Sequence, residues 1–164
     1  MRKLAPWLLA FLPFVAGASS SIETPAFTLK LQGDWKPERS SDPEQQTYYS
    51  KQNDVGLTTS FMLMNGNSIS TERIANKLKD FRLAGENKVA EKFKIRMTIA
   101  DPIVVPFSKG HQVAYYGHDN TNRQFRYLGL VLPSKTINIY AESKTRSQKE
   151  LEDIFNELLE GLSF

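Results

Sequence analysis

The sequence of 164 residues contains no cysteine. This absence excludes disulfide bonds, a thiol nucleophile, thiolate metal ligands and the lipid-modified cysteine that anchors bacterial lipoproteins. A chain of this length encloses a hydrophobic core large enough to fold without covalent crosslinks. We therefore expect a single domain that its core alone stabilises.

Histidine is nearly as scarce, and the chain has two, His111 and His118. In an extended strand, a separation of seven residues places their side chains on opposite faces, about 23 Å apart. In that arrangement they cannot bind one metal ion, and no further donors accompany them at a usual spacing. The sequence therefore predicts no metal site.

Local catalytic motifs are also missing. The sequence has neither a glycine-flanked serine nor a glycine-rich phosphate-binding loop. Acidic residues are numerous, but those in the predicted helices fall where solvated faces are expected. We expect a protein that is not an enzyme and has no cofactor, while an enzyme with a motif-free site stays open as an alternative.

A long apolar run occurs only near the amino terminus, at residues 4–15. Two cationic residues precede it and small residues at 16–18 follow, which is the order of a cleavable export signal. Twelve residues are too few to cross a bilayer, which takes about 20, so an uncleaved anchor is the less favoured alternative. We expect residues 1–18 to be a signal peptide and residues 19–164 to be one periplasmic domain without a stable membrane anchor.

Clusters of positive charge are absent from the expected mature domain. It has 19 Lys and Arg against 18 Asp and Glu, and the two signs are interspersed. Binding to a nucleic-acid backbone requires grouped cations. The sequence therefore excludes nucleic acid as a partner.

What is present is a pattern of alternating apolar residues that predicts antiparallel strands. The first strand carries Phe27, Leu29 and Leu31 and ends before Trp35, which we expect to be buried in the core. A polar loop is predicted over residues 36–46. Further strands are predicted at residues 47–51, 55–64, 95–99, 103–105, 112–118, 124–132 and 136–142.

Two amphipathic helices complete the prediction of an α+β sandwich. Ser70 suits the N-cap of the first helix, which Gly85 is expected to end or bend. We expect its buried face to contain Ile74, Leu78 and Phe81, and Arg82 to face water. The second helix is predicted to begin with a capping box at residues 147–150 and to bury the apolar residues that follow.

Tyrosine and arginine supply the candidate partner-binding surface. In each of the pairs Tyr48-Tyr49 and Tyr115-Tyr116, the two side chains are expected on opposite faces of a strand, so one can point outward. Tyrosine and arginine are enriched where proteins contact each other, although tyrosine is also a common structural residue of strands. We predict that the partner-binding residues are Tyr48, Tyr115, Tyr116, Arg123 and Arg126.

The order of the elements resembles the Mog1/PsbP-like superfamily, and the DcrB-like and related small periplasmic proteins of bacteria are similar in length. The resemblance covers residues 24–164 and rests on the export signal, on Gly33-Asp34-Trp35 after the first strand, on the order of helices and strands and on the terminal Gly161-Leu162-Ser163-Phe164. It implies an α/β/α sandwich with a central antiparallel sheet, a structural role for Trp35 and a function in binding.

Export and the missing catalytic motifs together predict a non-enzymatic periplasmic protein that recognises another protein as an accessory factor or an inhibitor. The partner would be a component of the envelope or a secreted effector. The alternative is an immunity protein that neutralises a secreted, type VI-like toxin hydrolase, because some small exported bacterial proteins of similar fold act in this way.

Overall fold

The computed structural model describes residues 19–40, 42, 44–65, 70–100 and 102–164, so the expected signal peptide lies outside the described residues. The strands are, in chain order, β1 (Ser19–Glu23), β2 (Thr28–Gln32), β3 (Lys36–Glu38), β4 (Gln45–Ser50), β5 (Val55–Leu63), β6 (Met97–Ile99), β7 (Ile103–Phe107), β8 (Gly110–Asp119), β9 (Gln124–Leu132), β10 (Lys135–Ser143) and β11 (Leu162–Ser163). The helices are α1 (Thr71–Phe93), which follows β5, and α2 (Gln148–Glu160), which follows β10.

The strands form two antiparallel sheets. The large sheet has the order β3-β4-β5-β10-β9-β8-β6, and β7 pairs with β8 beside β6. The small sheet has the order β1-β2-β11, so it joins the first and last described strands. Short connections such as that between β9 and β10 permit these antiparallel neighbours. The predicted central antiparallel sheet is confirmed.

The helix α2 and the small sheet cover one face of the large sheet. Ser147 accepts a hydrogen bond from the backbone N–H of Glu150, and the Glu150 carboxylate accepts one from the backbone N–H of Ser147, which confirms the predicted capping box. Behind this cap, Leu151 and Phe155 are buried against β9, β10 and β2. Trp35 is buried in the same core, as predicted.

The helix α1 covers the opposite face, where it packs on β7, β8 and β9. Ser70 caps it, as the sequence predicts, but Gly85 does not end it, because α1 runs unbroken to Phe93. Its buried side is also different from the prediction. Ile74 and Leu78 pack on a second hydrophobic core, which lies between α1 and the large sheet and includes Tyr115 and Phe125. Phe81 is exposed and Arg82 is half-buried. The two helices thus enclose the large sheet as an α/β/α sandwich.

The outer edges of the large sheet consist of short or proline-containing strands. At one edge, β3 has three exposed residues that include Pro37. The predicted loop over residues 36–46 is therefore wrong at its start, and it is also wrong at its end, where β4 begins at Gln45. At the other edge, β6 also has three residues, and β7 contains Pro106. Proline is tolerated in edge strands because one side of such a strand has no ladder to maintain.

Among the described residues, no helix combines the length and the apolar character needed to cross a bilayer.

Candidate binding surfaces

Two of the five predicted partner-binding residues lie side by side on the α2 side of the large sheet. Tyr116 in β8 is directly opposite Arg126 in β9. Their neighbours Tyr115 and Phe125 belong to the core under α1, so strand alternation directs Tyr116 and Arg126 to the other face. The helix α2 packs on β9, β10 and β2, and Tyr116 keeps 40% of its surface exposed beyond it.

Two further side chains extend this exposed area, which we call the outer face and define by Ile103, Tyr116, His118 and Arg126. Ile103 is opposite Ala114, which faces the α2 core, and His118 is two residues along β8 from Tyr116. Both are exposed. The outer face therefore combines an aliphatic, an aromatic and a cationic group.

Arg126 is held at the border between the outer face and α2. Its Nη2 is 3.7 Å from Oε1 of Glu152, and its guanidinium lies 5.9 Å from the centre of the Phe155 ring. The side chain of Glu152 is 45% exposed and the two charged groups are 3.7 Å apart, so water partly screens the ion pair and we expect it to contribute little to stability. Arg126 can therefore exchange Glu152 for another carboxylate at a small free-energy cost.

Tyr115 and Arg123 lie on the opposite face, under α1, so they share no surface with Tyr116 and Arg126. The buried hydroxyl of Tyr115 donates a hydrogen bond of 3.1 Å to Oε1 of Glu86, and Nε of Arg82 lies 3.4 Å from the same hydroxyl. Burial raises the pKa of Tyr115, so its phenol stays neutral and remains a donor at physiological pH.

A stack of tyrosine rings joins this cluster to the sheet. The rings of Tyr115 and Tyr127 stack with centres 4.8 Å apart, and the Arg82 guanidinium lies 4.7 Å above the centre of the Tyr127 ring. The hydroxyl of Tyr127 donates a 2.7 Å hydrogen bond to Asn138, whose amide N–H donates to Ser60 at 3.2 Å. Burial raises the pKa of Tyr127 as well.

Arg123 is fixed by acidic partners on both sides. Its Nε donates to Asp119 at 2.8 Å and its Nη1 donates to Glu142 at 3.0 Å. Burial disfavours the charge of Asp119, but hydrogen bonds from Thr121 and Arg123 outweigh that effect and lower the pKa of Asp119 to about 2. With its charge paired in this way, Arg123 serves the structure of the sheet.

Tyr48 packs against the α2 core from β4, away from the outer face. The two histidines occupy opposite faces, as predicted, because His111 contacts the Thr71 hydroxyl at the start of α1 whereas His118 belongs to the outer face. The described part of the chain contains no group of three or more His, Cys, Asp or Glu residues that could hold a metal ion.

The structure also contains a groove that the sequence analysis missed. It runs between α1 and the β5 and β10 strands, and we call it the α1 groove. Its outer cavity of about 550 Å³ is lined by Met62, Leu78 and Phe81, among others, and an inner cavity of about 240 Å³ shares Ser60, Arg82 and Asn138 with it. The four-residue spacing of Ile74, Leu78, Arg82 and Glu86 places these residues on one face of α1. Two of them are charged, so the sequence pattern did not indicate that this face turns towards the sheet.

The chain is similar to solved structures, of which two are described here. The solution structure of the cyanobacterial PsbP protein CyanoP from Synechocystis matches with a TM-score of 0.60 and 10% sequence identity, over 94% of this chain and 98% of that chain. A crystal structure from Bacteroides thetaiotaomicron matches with a TM-score of 0.53 and 14% identity, over 90% of this chain and 48% of that chain.

Sequence comparison gives no such link, because no family model and no curated protein sequence matches the chain. At the identities of the structural matches, the likeness concerns the fold. The resemblance noted from the order of elements is therefore confirmed at that level, and the two helices on an antiparallel sheet give this chain a PsbP-like α+β fold.

Proposed function

We propose that the protein is an exported, non-enzymatic accessory protein that binds another protein of the periplasm through its outer face. The observation that carries the proposal is the juxtaposition of exposed Tyr116 with Arg126, on a part of the sheet that α2 leaves uncovered. Aromatic and arginine side chains of this kind dominate the binding energy of many protein interfaces.

The chemistry of the outer face indicates what the partner must offer. Ile103 and Tyr116 present apolar area that an apolar or aromatic side chain would cover, and Arg126 suits a carboxylate that replaces the exposed Glu152. A hydrogen bond between a carboxylate and a guanidinium is shorter and stronger than one between neutral groups. The expected partner therefore carries an acidic group beside an apolar patch.

Two further points support a binding role. The superfamily that the element order resembles implies binding, and the fold agrees with that resemblance. The two histidines lie on opposite faces of the sheet. The buried acidic residues Glu86 and Asp119 are paired with Arg82 and Arg123. Such pairing suits structural roles.

The proposal is tested by identifying the partner and then measuring its affinity. The tagged protein would be purified from the envelope of its native host, the bound protein identified by mass spectrometry, and binding of the purified pair titrated. We expect Tyr116→Ala and Arg126→Ala each to weaken binding at least tenfold, as substitutions at interface hot spots do. Phe93→Ala, on α1 at the other side of the molecule, is the matched control and should leave the affinity unchanged.

An affinity that neither substitution changes, with folded variants by circular dichroism, rejects the outer face. The identity of the partner separates the two forms of the proposal. An envelope component makes the protein an accessory factor, whereas a secreted hydrolase that loses activity on binding makes it an inhibitor of the immunity type. Catalytic turnover by the purified protein would reject the non-enzymatic role.

A further inference from the structure

We infer that the α1 groove binds a small uncharged amphiphile, with an apolar body in the outer cavity and oxygen acceptors of its headgroup at the inner end. The groove lies on the opposite face from the outer face, so this inference is independent of the proposed protein partner. It follows from the apolar walls, the free donors and the balanced charge of the groove.

Part of the wall of the outer cavity is apolar and exposed. Phe81 of α1 and Met62 of β5 line the same cavity and keep 74% and 55% of their surfaces exposed. Single exposed apolar residues are common on proteins, but two that line one cavity together with Leu78 form a continuous apolar lining. The volume of about 550 Å³ lies within the range of roughly 300–1,000 Å³ that is typical of ligand sites.

The inner end offers hydrogen-bond donors. Nε and Nη2 of Arg82 contact Tyr115 and Glu86, and Nη1 has no hydrogen-bond partner within the described residues. Asn138 uses one of its two amide hydrogens on Ser60, and the Ser60 hydroxyl, which accepts that bond, retains its own hydrogen for donation. Three neighbouring groups can therefore donate to hydroxyl, ether or carbonyl oxygens of a bound molecule.

The charges around the outer cavity cancel. Asp42 and Glu44 line it from the segment before β4, and Lys77 and Arg82 line it from α1. With two acidic and two basic side chains in its lining, the cavity has no surplus of either sign to balance a charged headgroup. This balance favours a headgroup without net charge.

The position of the groove within the sheet disfavours an extended peptide as the occupant. The floor is formed by β5 and β10, which pair with strands on both sides, so their backbone groups are already hydrogen-bonded. A peptide that binds by strand addition needs a free edge. The occupant must therefore be held by side chains alone, as a small molecule is.

The test uses n-octyl β-D-glucoside as the probe, below its critical micelle concentration, with the purified protein in isothermal titration calorimetry. We expect saturable binding at one site, which Phe81→Ser weakens about tenfold because the probe loses apolar contact area. The matched control is Phe93→Ser, which changes another exposed phenylalanine of the same helix, outside the groove, and should leave binding unchanged. Neither phenylalanine belongs to the core, so both variants should fold.

Four results would overturn the inference. Absence of saturable binding, or equal weakening by the two substitutions, rejects the groove as the site. Binding of octanoate or octylammonium as tight as that of the glucoside rejects an uncharged headgroup. The last result is self-association of the protein without probe, measured by sedimentation velocity. If Phe81→Ser abolishes it, the apolar lining binds a second copy of the chain instead.

Discussion

Replacing Asp119 with asparagine should lower the free energy of unfolding by about 2 kcal/mol at neutral pH. Asp119 ends β8, and its carboxylate accepts hydrogen bonds from the backbone and hydroxyl of Thr121 at 2.8 and 2.6 Å. It also accepts from the backbone N–H and Nε of Arg123 at 3.3 and 2.8 Å. These contacts hold the β8–β9 turn, in which Asn122 has a positive φ of 65°.

The size of the effect follows from which contacts asparagine can keep. Its amide oxygen can still accept the bonds from Thr121, but its NH₂ group would face Nε of Arg123, donor against donor. The loss of a charge-assisted hydrogen bond by a buried pair costs about 1.5–3 kcal/mol. In a domain of this size, 2 kcal/mol lowers the unfolding midpoint by about 4–8 °C.

The same substitution should change the response to acid. The pKa of Asp119 is lowered from 3.8 to about 2, so its contribution to stability is present above pH 3.8 and is lost as the pH falls through 2. The difference in the free energy of unfolding between wild type and Asp119→Asn should be largest at pH 7 and should decrease between about pH 4 and pH 2. Thermal unfolding followed by circular dichroism across that range measures it.

Asp153→Asn is the matched control, because Asp153 forms an exposed ion pair of 2.7 Å with Lys149 on α2. Its loss should cost no more than about 0.5 kcal/mol. The explanation fails if the two substitutions are equally mild at pH 7, or if the destabilisation by Asp119→Asn is the same at pH 2 as at pH 7.

Three other substitutions test the helix α1, the core under α2 and a hydrogen bond within the large sheet, each by thermal or urea unfolding. Gly85→Ala should stabilise the protein by about 0.5–1 kcal/mol, because Gly85 is exposed within α1 and no atom lies within 4 Å of an added Cβ; destabilisation would contradict the helical geometry there. Phe155→Ala should cost about 3–5 kcal/mol through the cavity left under α2, and a cost below 1 kcal/mol would refute that core. Tyr127→Phe should cost about 1 kcal/mol by removing the bond to Asn138, and an unchanged stability would show that this bond contributes nothing.

The sequence predicts the elements whose own residues alternate between buried and exposed positions. Most of β10 follows such a pattern, β9 is a run of mostly buried apolar residues, and α2 has both a capping box and a regular apolar face, so local information was sufficient. The residues of β3 are all exposed and give no alternation. The short β11 exists because it pairs with β2, which is more than a hundred residues away, and no local pattern encodes that contact.

The candidate sites were harder to predict because they depend on register and on charged residues at buried positions. Tyr116 lies opposite Arg126 because of the register between β8 and β9, which the sequence alone does not give. In α1, a count of apolar residues assigned Phe81 to the core and Arg82 to water. The structure reverses these positions, because the rings of Tyr127 and Tyr140 provide a surface for the Arg82 guanidinium at 4.7 and 5.7 Å.

The edges of the large sheet affect how molecules of this protein can associate. With Pro37 in β3 and Pro106 in β7, a strand arriving from outside would find missing N–H donors and only three residues to pair with in β3 or β6. Growth of the sheet from one molecule to the next, the first step towards fibrils, is thereby discouraged. Contacts between molecules at the large sheet should therefore use the broad surfaces of the sandwich instead of its strand edges.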